Sequence, residues 1–347
     1  RVDQQKHVQH ILKAGRHLLR LINEVLEIAR IEAGRQSFSL EPVHVGTVMG
    51  EAIGLVRPLA EQHGVEVEEG ESTGRDGFVH ADRQRLTQVL LNLLSNAIKY
   101  NRPGGTVRLT CEADPVGEDG EPRVWLRVAD TGRGIPENRV HQLFTPFARL
   151  GAEQTEVEGT GLGLALSLRL AEAMGGTLAL EKTGLEGSVF RLGLLGAANP
   201  LRRVEDAGLP AAPNGDDGHA PATLLYVEDN LANLSLVETF LGSRPAWRLV
   251  PALQGRIGVE LAREHRPDLV LLDLHLPDIS GEEVLRRLRA DPRTEHIPVV
   301  IISADATADS LDRLRACGAD AYLTKPLDLD EFMSTLELHL SARADPA

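Results

Sequence analysis

The chain has 347 residues, room for two or three domains, and its 42% hydrophobic share suits real cores, mostly aliphatic ones because aromatics make up only 3%. A net charge of −14 argues against a nucleic-acid-binding surface. The two cysteines, Cys111 and Cys317, lack metal-ligand spacing and read as free thiols of a reducing, cytoplasmic compartment, and no apolar run approaches the ~18 residues of a membrane span.

The chain opens on Arg1 without a leader, so it is expected to be an internal piece of a longer protein. Any membrane attachment would come from a missing upstream region. Residues 1–36 are expected to hold one long helix that stops near Gly34. Val8, Ile11, Leu12, Leu18, Leu19, Ile22, Val25, Leu26 and Ala29 recur near the 3.5-residue coiled-coil period. A lone helix cannot bury such a seam. It packs on its own domain, or on a partner helix from a second copy or a missing hairpin arm.

Residues 37–197 mix helices and strands out of strict alternation, which predicts an α+β sandwich. Helices are expected over 46–63 and 82–100, the second with Asp82 as N-cap. Strands are expected near 65–68, 106–112, 123–130, 176–181 and 187–195. The stretch 131–160 is long, polar and glycine-rich, as a functional lid would be. Residues 198–221, rich in Ala, Pro, Gly and Asp, read as a linker.

Residues 222–347 alternate short apolar runs with helical segments. The runs at 223–227, 268–273, 298–303 and 320–324 are strands of a parallel sheet buried on both faces, so a doubly wound α/β domain is expected, with its site at the C-terminal strand ends.

Four motifs carry chemistry in the middle segment. Asn92 and Asn96 share a helix face, with Lys99 and Tyr100 one turn beyond. They either satisfy backbone groups at a junction or offer oxygens to a hard cation, with Lys99 on a phosphate. Asp130 ends a strand ahead of Gly132 and Gly134. It is a turn residue or an acceptor for an exocyclic amine. The "FTPF" run at 144–147 follows. Then "GTGLGLAL" places Thr160, Gly161, Leu162 and Gly163 before a helix, as a turn or a phosphate cradle. Leu at 164 and 166 excludes the dinucleotide fingerprint, and no Gly-Lys-Ser/Thr exists for a P-loop.

In this order the motifs resemble the N, first glycine, F and second glycine boxes of the ATP-binding catalytic domain of sensor histidine kinases, over residues 38–196. The resemblance implies a Bergerat/GHKL-type sandwich that binds ATP and Mg²⁺. Asn96 would ligate the metal with Asn92 beside it, and Lys99 would touch phosphate. Tyr100 would line the pocket, and Asp130 would accept from the adenine amine. Gly132, Gly134, Thr160, Gly161, Leu162 and Gly163 would form the lid hinge and its phosphate-facing end. Related hydrolytic ATPases carry a catalytic Glu on the metal-binding helix. No Glu lies between 82 and 100, which favours phosphoryl transfer to protein. Residues 1–36 resemble the second helix of the family's dimerisation hairpin. His7, His10 and His17 lack the acidic neighbour and the Pro that mark the phosphoacceptor, so that histidine is expected outside this chain.

In the last segment Glu228, Asp229, Asp273, Ser303 and Lys325 all fall at strand ends. Three carboxylates in one cleft repel unless a cation sits there, and a metal-bound Asp is a competent nucleophile toward phosphorus. The segment resembles a flavodoxin-like response-regulator receiver. The resemblance implies phosphorylation of Asp273 and Mg²⁺ on Glu228, Asp229 and Asp273. Ser303 and Lys325 would sit on the phosphoryl group, and Tyr322 would be the switch aromatic. The expected whole is an ATP-dependent histidine kinase with a fused receiver, homodimeric through its first helix. Its partner would be a histidine phosphotransfer protein or the cognate phosphoacceptor His. The alternative is a non-catalytic nucleotide-sensing regulator.

Overall fold

In a computed structural model, residues 2–34, 36, 38–116, 120–148, 160–199, 220–304 and 313–341 are described. The chain divides into two compact units, Arg1–Phe38 with His44–Ala197, and Ser39–Val43 with Ala198–Ala347. The expected linker lies almost wholly outside the described residues, as does part of the expected lid, 149–159.

The first unit opens with helix α1 (Val2–Glu32). Its Leu12, Leu18, Leu19, Ile22, Val25 and Leu26 are exposed, so the apolar seam is not buried by the described chain. Its acidic side is engaged: Glu27 accepts from Arg85 and Gln88, and Glu24 from Thr160. The side chains of His7, His10 and His17 lie outside the described residues.

Three helices follow: α2 (Val45–His63), α3 (Arg83–Lys99) and α4 (Gly163–Ala173). The strands up to residue 197 are, in chain order, β1 (Glu41–His44), β2 (Glu66–Glu69), β3 (Phe78–Ala81), β4 (Thr106–Asp114), β5 (Arg123–Asp130), β6 (Thr177–Gly184) and β7 (Gly187–Ala197). Within the first unit the sheet runs β3-β7-β5-β4-β2, with β6 also on β7. The β2–β4 pair is parallel, and β4–β5, β5–β7 and β6–β7 are antiparallel. This is the expected helix-on-sheet layer. Leu86, Val89, Leu90, Leu93, Leu94, Ala97 and Ile98 of α3 are buried, leaving a polar stripe on the opposite side. β1 and β3 were not expected: at four residues each they are too short to show a period. A helical turn at Glu137–Gln142 interrupts the expected loop.

The second unit contains β8 (Ala222–Val227), α5 (Leu231–Leu241), β9 (Trp247–Ala252), α6 (Gly255–His265), β10 (Leu269–Asp273), α7 (Gly281–Arg289), β11 (Val299–Ser303), β12 (Ala321–Thr324) and α8 (Leu329–Ser341). All five strands are parallel, in the order β12-β11-β10-β8-β9. Every residue of β10 and β11 is buried, as a sheet covered on both faces requires. One core packs α5 and α8 against β8 and β10, and the other packs α6 and α7. The doubly wound expectation holds. β9 was missed, because Pro251 and an exposed edge weaken its pattern.

Candidate functional site

In the first unit, Asp82 caps α3 by accepting from the Arg85 N–H at 3.1 Å. The cap and the apolar face together aim Asn92, Asn96, Lys99 and Tyr100, all half-buried, along one stripe. Asn92 Nδ2 donates to Ser167 Oγ at 2.8 Å, and its Oδ1 accepts from Asn96 Nδ2 at 3.4 Å. Gly163, the first residue of α4, packs onto Asn92 so closely that a Cβ would meet the amide group. The N box and the second glycine box are therefore one interlocked surface. Ser167 was missed by the sequence reading. Its signal is a lone hydroxyl on the apolar face of α4, among Ala165, Leu166, Leu170 and Ala171.

Asp130 stands at the end of β5. Its Oδ1 accepts from the Gly132 N–H at 2.8 Å. Burial pushes its carboxyl pKa up, against the opposing pull of the Gly132 and Ser188 backbone donors. A Cβ on Gly132 would meet the Tyr100 carbonyl at 2.7 Å, so Tyr100, Asp130 and Gly132 converge. The Arg133 guanidinium lies 5.5 Å from the Tyr100 ring centroid. Gly134 takes φ +67° and abuts the backbone of Gly184.

Gly161 takes φ +74°, and its carbonyl accepts from the Phe147 N–H at 3.0 Å, joining the F box to the second glycine box. Thr160 Oγ1 accepts from the Leu162 N–H at 3.2 Å and donates to Glu24 Oε2 at 2.8 Å. Leu162 is buried. Glu24, a polar position on a heptad-like helix, carried no signal in the sequence.

In the second unit the strand ends meet as expected. Lys325 Nζ lies 2.8 Å from one oxygen each of Asp273, Glu228 and Glu41. Burial works to depress the Lys325 ammonium, but the three carboxylates outweigh it and hold its pKa well above the ordinary value. Burial raises the pKa of both Asp273 and Glu228, and Lys325 pulls each the other way. Asp273 Oδ1 accepts from the His275 N–H at 3.1 Å. Glu228 accepts from Tyr226 Oη at 2.8 Å, the Asn230 N–H at 3.0 Å and Asn233 Nδ2 at 3.1 Å.

Ser303 is buried at the end of β11, and its carbonyl accepts from the Lys325 N–H at 2.9 Å. Tyr322 is half-buried against the second core. Asp229 is buried, yet the acids whose oxygens lie within 4.8 Å of one another, among the described residues, are Glu41, Glu228 and Asp273. Glu41, Asn230, Asn233 and Tyr226 were missed. The two Asn were visible as an i, i+3 pair beside the acids, whereas nothing in the sequence linked Glu41 to this cluster.

Residues 81–197 match the family model of histidine kinase-, DNA gyrase B- and HSP90-like ATPases, and residues 224–337 match that of response regulator receiver domains. The virulence sensor protein BvgS of Bordetella pertussis is 36% identical over 99% of this chain and 28% of its own length. The circadian input-output histidine kinase CikA of Synechococcus elongatus is 31% identical over 96% of this chain and 42% of its own length. The sensor histidine kinase AruS of Pseudomonas aeruginosa is 32% identical over 96% of this chain and 33% of its own length. The chain thus spans less than half the length of each of these relatives. Among solved structures, full-length ShkA in complex with AMPPNP superimposes with a TM-score of 0.51 at 25% identity, covering 97% of this chain and 92% of that one. No helix among the described residues is long and apolar enough to cross a membrane.

Proposed function

This chain carries, in order, the ATPase domain and the receiver domain of a hybrid sensor histidine kinase, and from that premise we propose that it binds ATP with Mg²⁺, transfers the γ-phosphoryl group to a histidine, and receives it on Asp273. The observation that carries the first step is the junction of Asn92 with Gly163 and Ser167, which fuses the two motifs that would grip the triphosphate. Asp130 would accept from the adenine amine, and Tyr100 would line that pocket. Lys99 and the backbone of Thr160–Gly163 would meet the phosphates, the latter at the start of α4 where free N–H groups favour anions.

The donor sets fit a hard cation. Asn92 and Asn96 offer amide oxygens, and Mg²⁺ takes few protein oxygens beside phosphates and water. In the receiver, Glu228, Asp229 and Asp273 are buried acids that Lys325 alone cannot neutralise. Mg²⁺ bound there would offset charge on the transferred group. Transfer itself is positioning and charge neutralisation. The bond from the γ-phosphorus to the ADP oxygen breaks as an imidazole nitrogen bonds to phosphorus. An Asp273 oxygen then attacks that phosphorus and the P–N bond breaks, leaving an acyl phosphate. Lys325 and Ser303 would hold its oxygens.

In this reading residues 1–36 are one arm of a dimerisation hairpin, 37–197 the catalytic domain, 198–221 a linker and 222–347 the receiver. The exposed α1 seam supports a homodimer. The accepting histidine belongs to the cognate hairpin or to a histidine phosphotransfer protein, in the cytoplasm.

The test incubates the chain with γ-labelled ATP, Mg²⁺ and a separate protein bearing the hairpin histidine. Label is expected on that histidine first and then on Asp273, with D273N stopping the second transfer. Unlabelled histidine in the presence of bound ATP rejects the kinase reading.

A further inference from the structure

Glu41 is remote in sequence from the receiver, 284 positions from Lys325, yet its side chain is only 5% exposed and is fully occupied in the receiver cluster. Oε1 accepts from Asn230 Nδ2 at 3.0 Å, and Oε2 accepts from Asn233 Nδ2 at 2.8 Å and from Lys325 Nζ at 2.8 Å. Asn230 Nδ2 also reaches the Pro42 carbonyl at 3.3 Å, so the backbone of the segment is engaged as well. Residues Ser39–Val43 belong to the same compact unit as the receiver.

We propose that Ser39–Val43 is a built-in acidic peptide ligand of the receiver pocket, with Glu41 competing for Lys325 against the phosphoryl group. This rests on the reading of Asp273 as phosphoacceptor. Glu41 presents two oxygens on a planar carbon where a phosphoryl group would present three on phosphorus, and its Oε2 takes the charge-assisted bond from the Lys325 ammonium that a phosphoryl oxygen would take. A phosphoryl group on Asp273 needs an N–H of Lys325, and all three of its donors are already taken by Glu41, Glu228 and Asp273. Phosphorylation therefore expels Glu41, and a seated Glu41 slows phosphorylation.

A cation-ligand role for Glu41 is the competing reading, since its oxygens lie within 4.8 Å of those of Glu228 and Asp273. The Lys325 ammonium already touches all three carboxylates, and both Glu41 oxygens are satisfied by nitrogen donors. The geometry is that of an ion-paired plug.

The experiment measures binding of beryllium fluoride with Mg²⁺, a phosphoryl mimic, to the full chain by calorimetry, and follows hydrogen exchange at the amides of Ser39–Val43. A plug seated about nine-tenths of the time weakens apparent affinity about tenfold. E41Q is therefore expected to bind the mimic about tenfold more tightly. In the unsubstituted chain the mimic is expected to speed exchange at Ser39–Val43 by a similar factor, a readout that needs no variant to fold. Equal or weaker binding by E41Q, or unchanged exchange while the mimic binds, overturns the plug. If neither protein binds the mimic, the phosphoacceptor reading fails, and the plug is judged on the ligand-free chains. Faster exchange at Ser39–Val43 in E41Q then supports it as a ligand of the pocket, and unchanged exchange rejects it.

Discussion

Gly163 packs against Asn92 with so little room that a Cβ on Gly163 would overlap Asn92 Oδ1 and stand 3.0 Å from its Cγ. Asn92 cannot simply swing aside, because Ser167 and Asn96 hold both ends of its amide. G163A is expected to cost about 1–3 kcal/mol of stability, the usual range for an overpacked contact. Nucleotide affinity is expected to drop about tenfold, equivalent to ~1.4 kcal/mol of distortion at the site. Gly54 is the contrast: it is exposed on α2, and a Cβ there would meet nothing within 4 Å. G54A is expected to stabilise by about 0.5–1 kcal/mol through helix propensity. Thermal unfolding and nucleotide titration of both variants check this, and an unperturbed G163A would mean that the junction is soft.

Asp130 gives a pH-dependent signature. Burial raises its folded pKa, with the Gly132 and Ser188 N–H groups opposing. A raised pKa means that the fold prefers the protonated acid. That contribution is fully present below the unfolded value of ~3.9 and is lost as pH rises through the folded value. D130N keeps a neutral group of the same shape, and its amide oxygen can still accept from Gly132. The variant is expected to gain stability over the unsubstituted chain as pH rises above ~3.9, while binding ATP less well. Urea midpoints across pH measure the gap. Parallel profiles would falsify the assignment of a strained carboxylate.

The sequence made legible what is contiguous or periodic. Asn92 and Asn96 one turn apart, the glycines around 161, and the apolar runs ending at Asp273 and Ser303 are local patterns fixed by helix and strand repeats. Their convergence followed from parallel strand topology. Glu41 was illegible for a physical reason. Its partners lie 189 to 284 positions away, and a carboxylate in a four-residue strand looks like any solvated acid. Ser167 and Glu24 fall between these cases, since each sits on a readable helix but its partner is set by how α4 and the turn before it pack on α3 and α1.

Asp278 caps a helix that lacks a cap of its own. Gln254 at the N-terminus of α6 makes no side-chain capping bond, while the Asp278 carboxylate accepts from the Gly255 N–H at 2.7 Å and the Arg256 N–H at 2.9 Å. Burial works to raise its pKa, but the N–H groups of Arg256, Gly255 and Ile279 prevail and lower it. The stabilisation is therefore present above the unfolded pKa of ~3.9 and is lost as pH falls through the folded value. D278A is expected to cost about 1 kcal/mol at neutral pH, as a lost cap does, and the cost is expected to vanish on acidification. A loss that persists unchanged at low pH would assign the effect to packing instead.

Lys325 is the keystone charge of the receiver cluster, and its removal has a defined sign. Its folded pKa is raised by Asp273, Glu228 and Glu41 against the effect of burial, so its contribution is present throughout the range below ~10.4 and is lost only as pH rises through the folded value. K325A leaves three buried carboxylates without their shared ammonium. Breaking a buried ion pair from one side typically costs about 3–5 kcal/mol, and that loss is expected near pH 7. Acidification protonates the stranded acids, so the gap to the unsubstituted chain is expected to narrow as pH approaches ~4. Adding E41Q to K325A removes one of the stranded charges and is expected to recover part of the loss, a non-additivity that a double-mutant cycle resolves. Urea unfolding at a series of pH values provides both numbers. A constant gap across pH, with E41Q and K325A strictly additive, would mean that Lys325 stabilises through its aliphatic stem and that the carboxylates are answered by other groups.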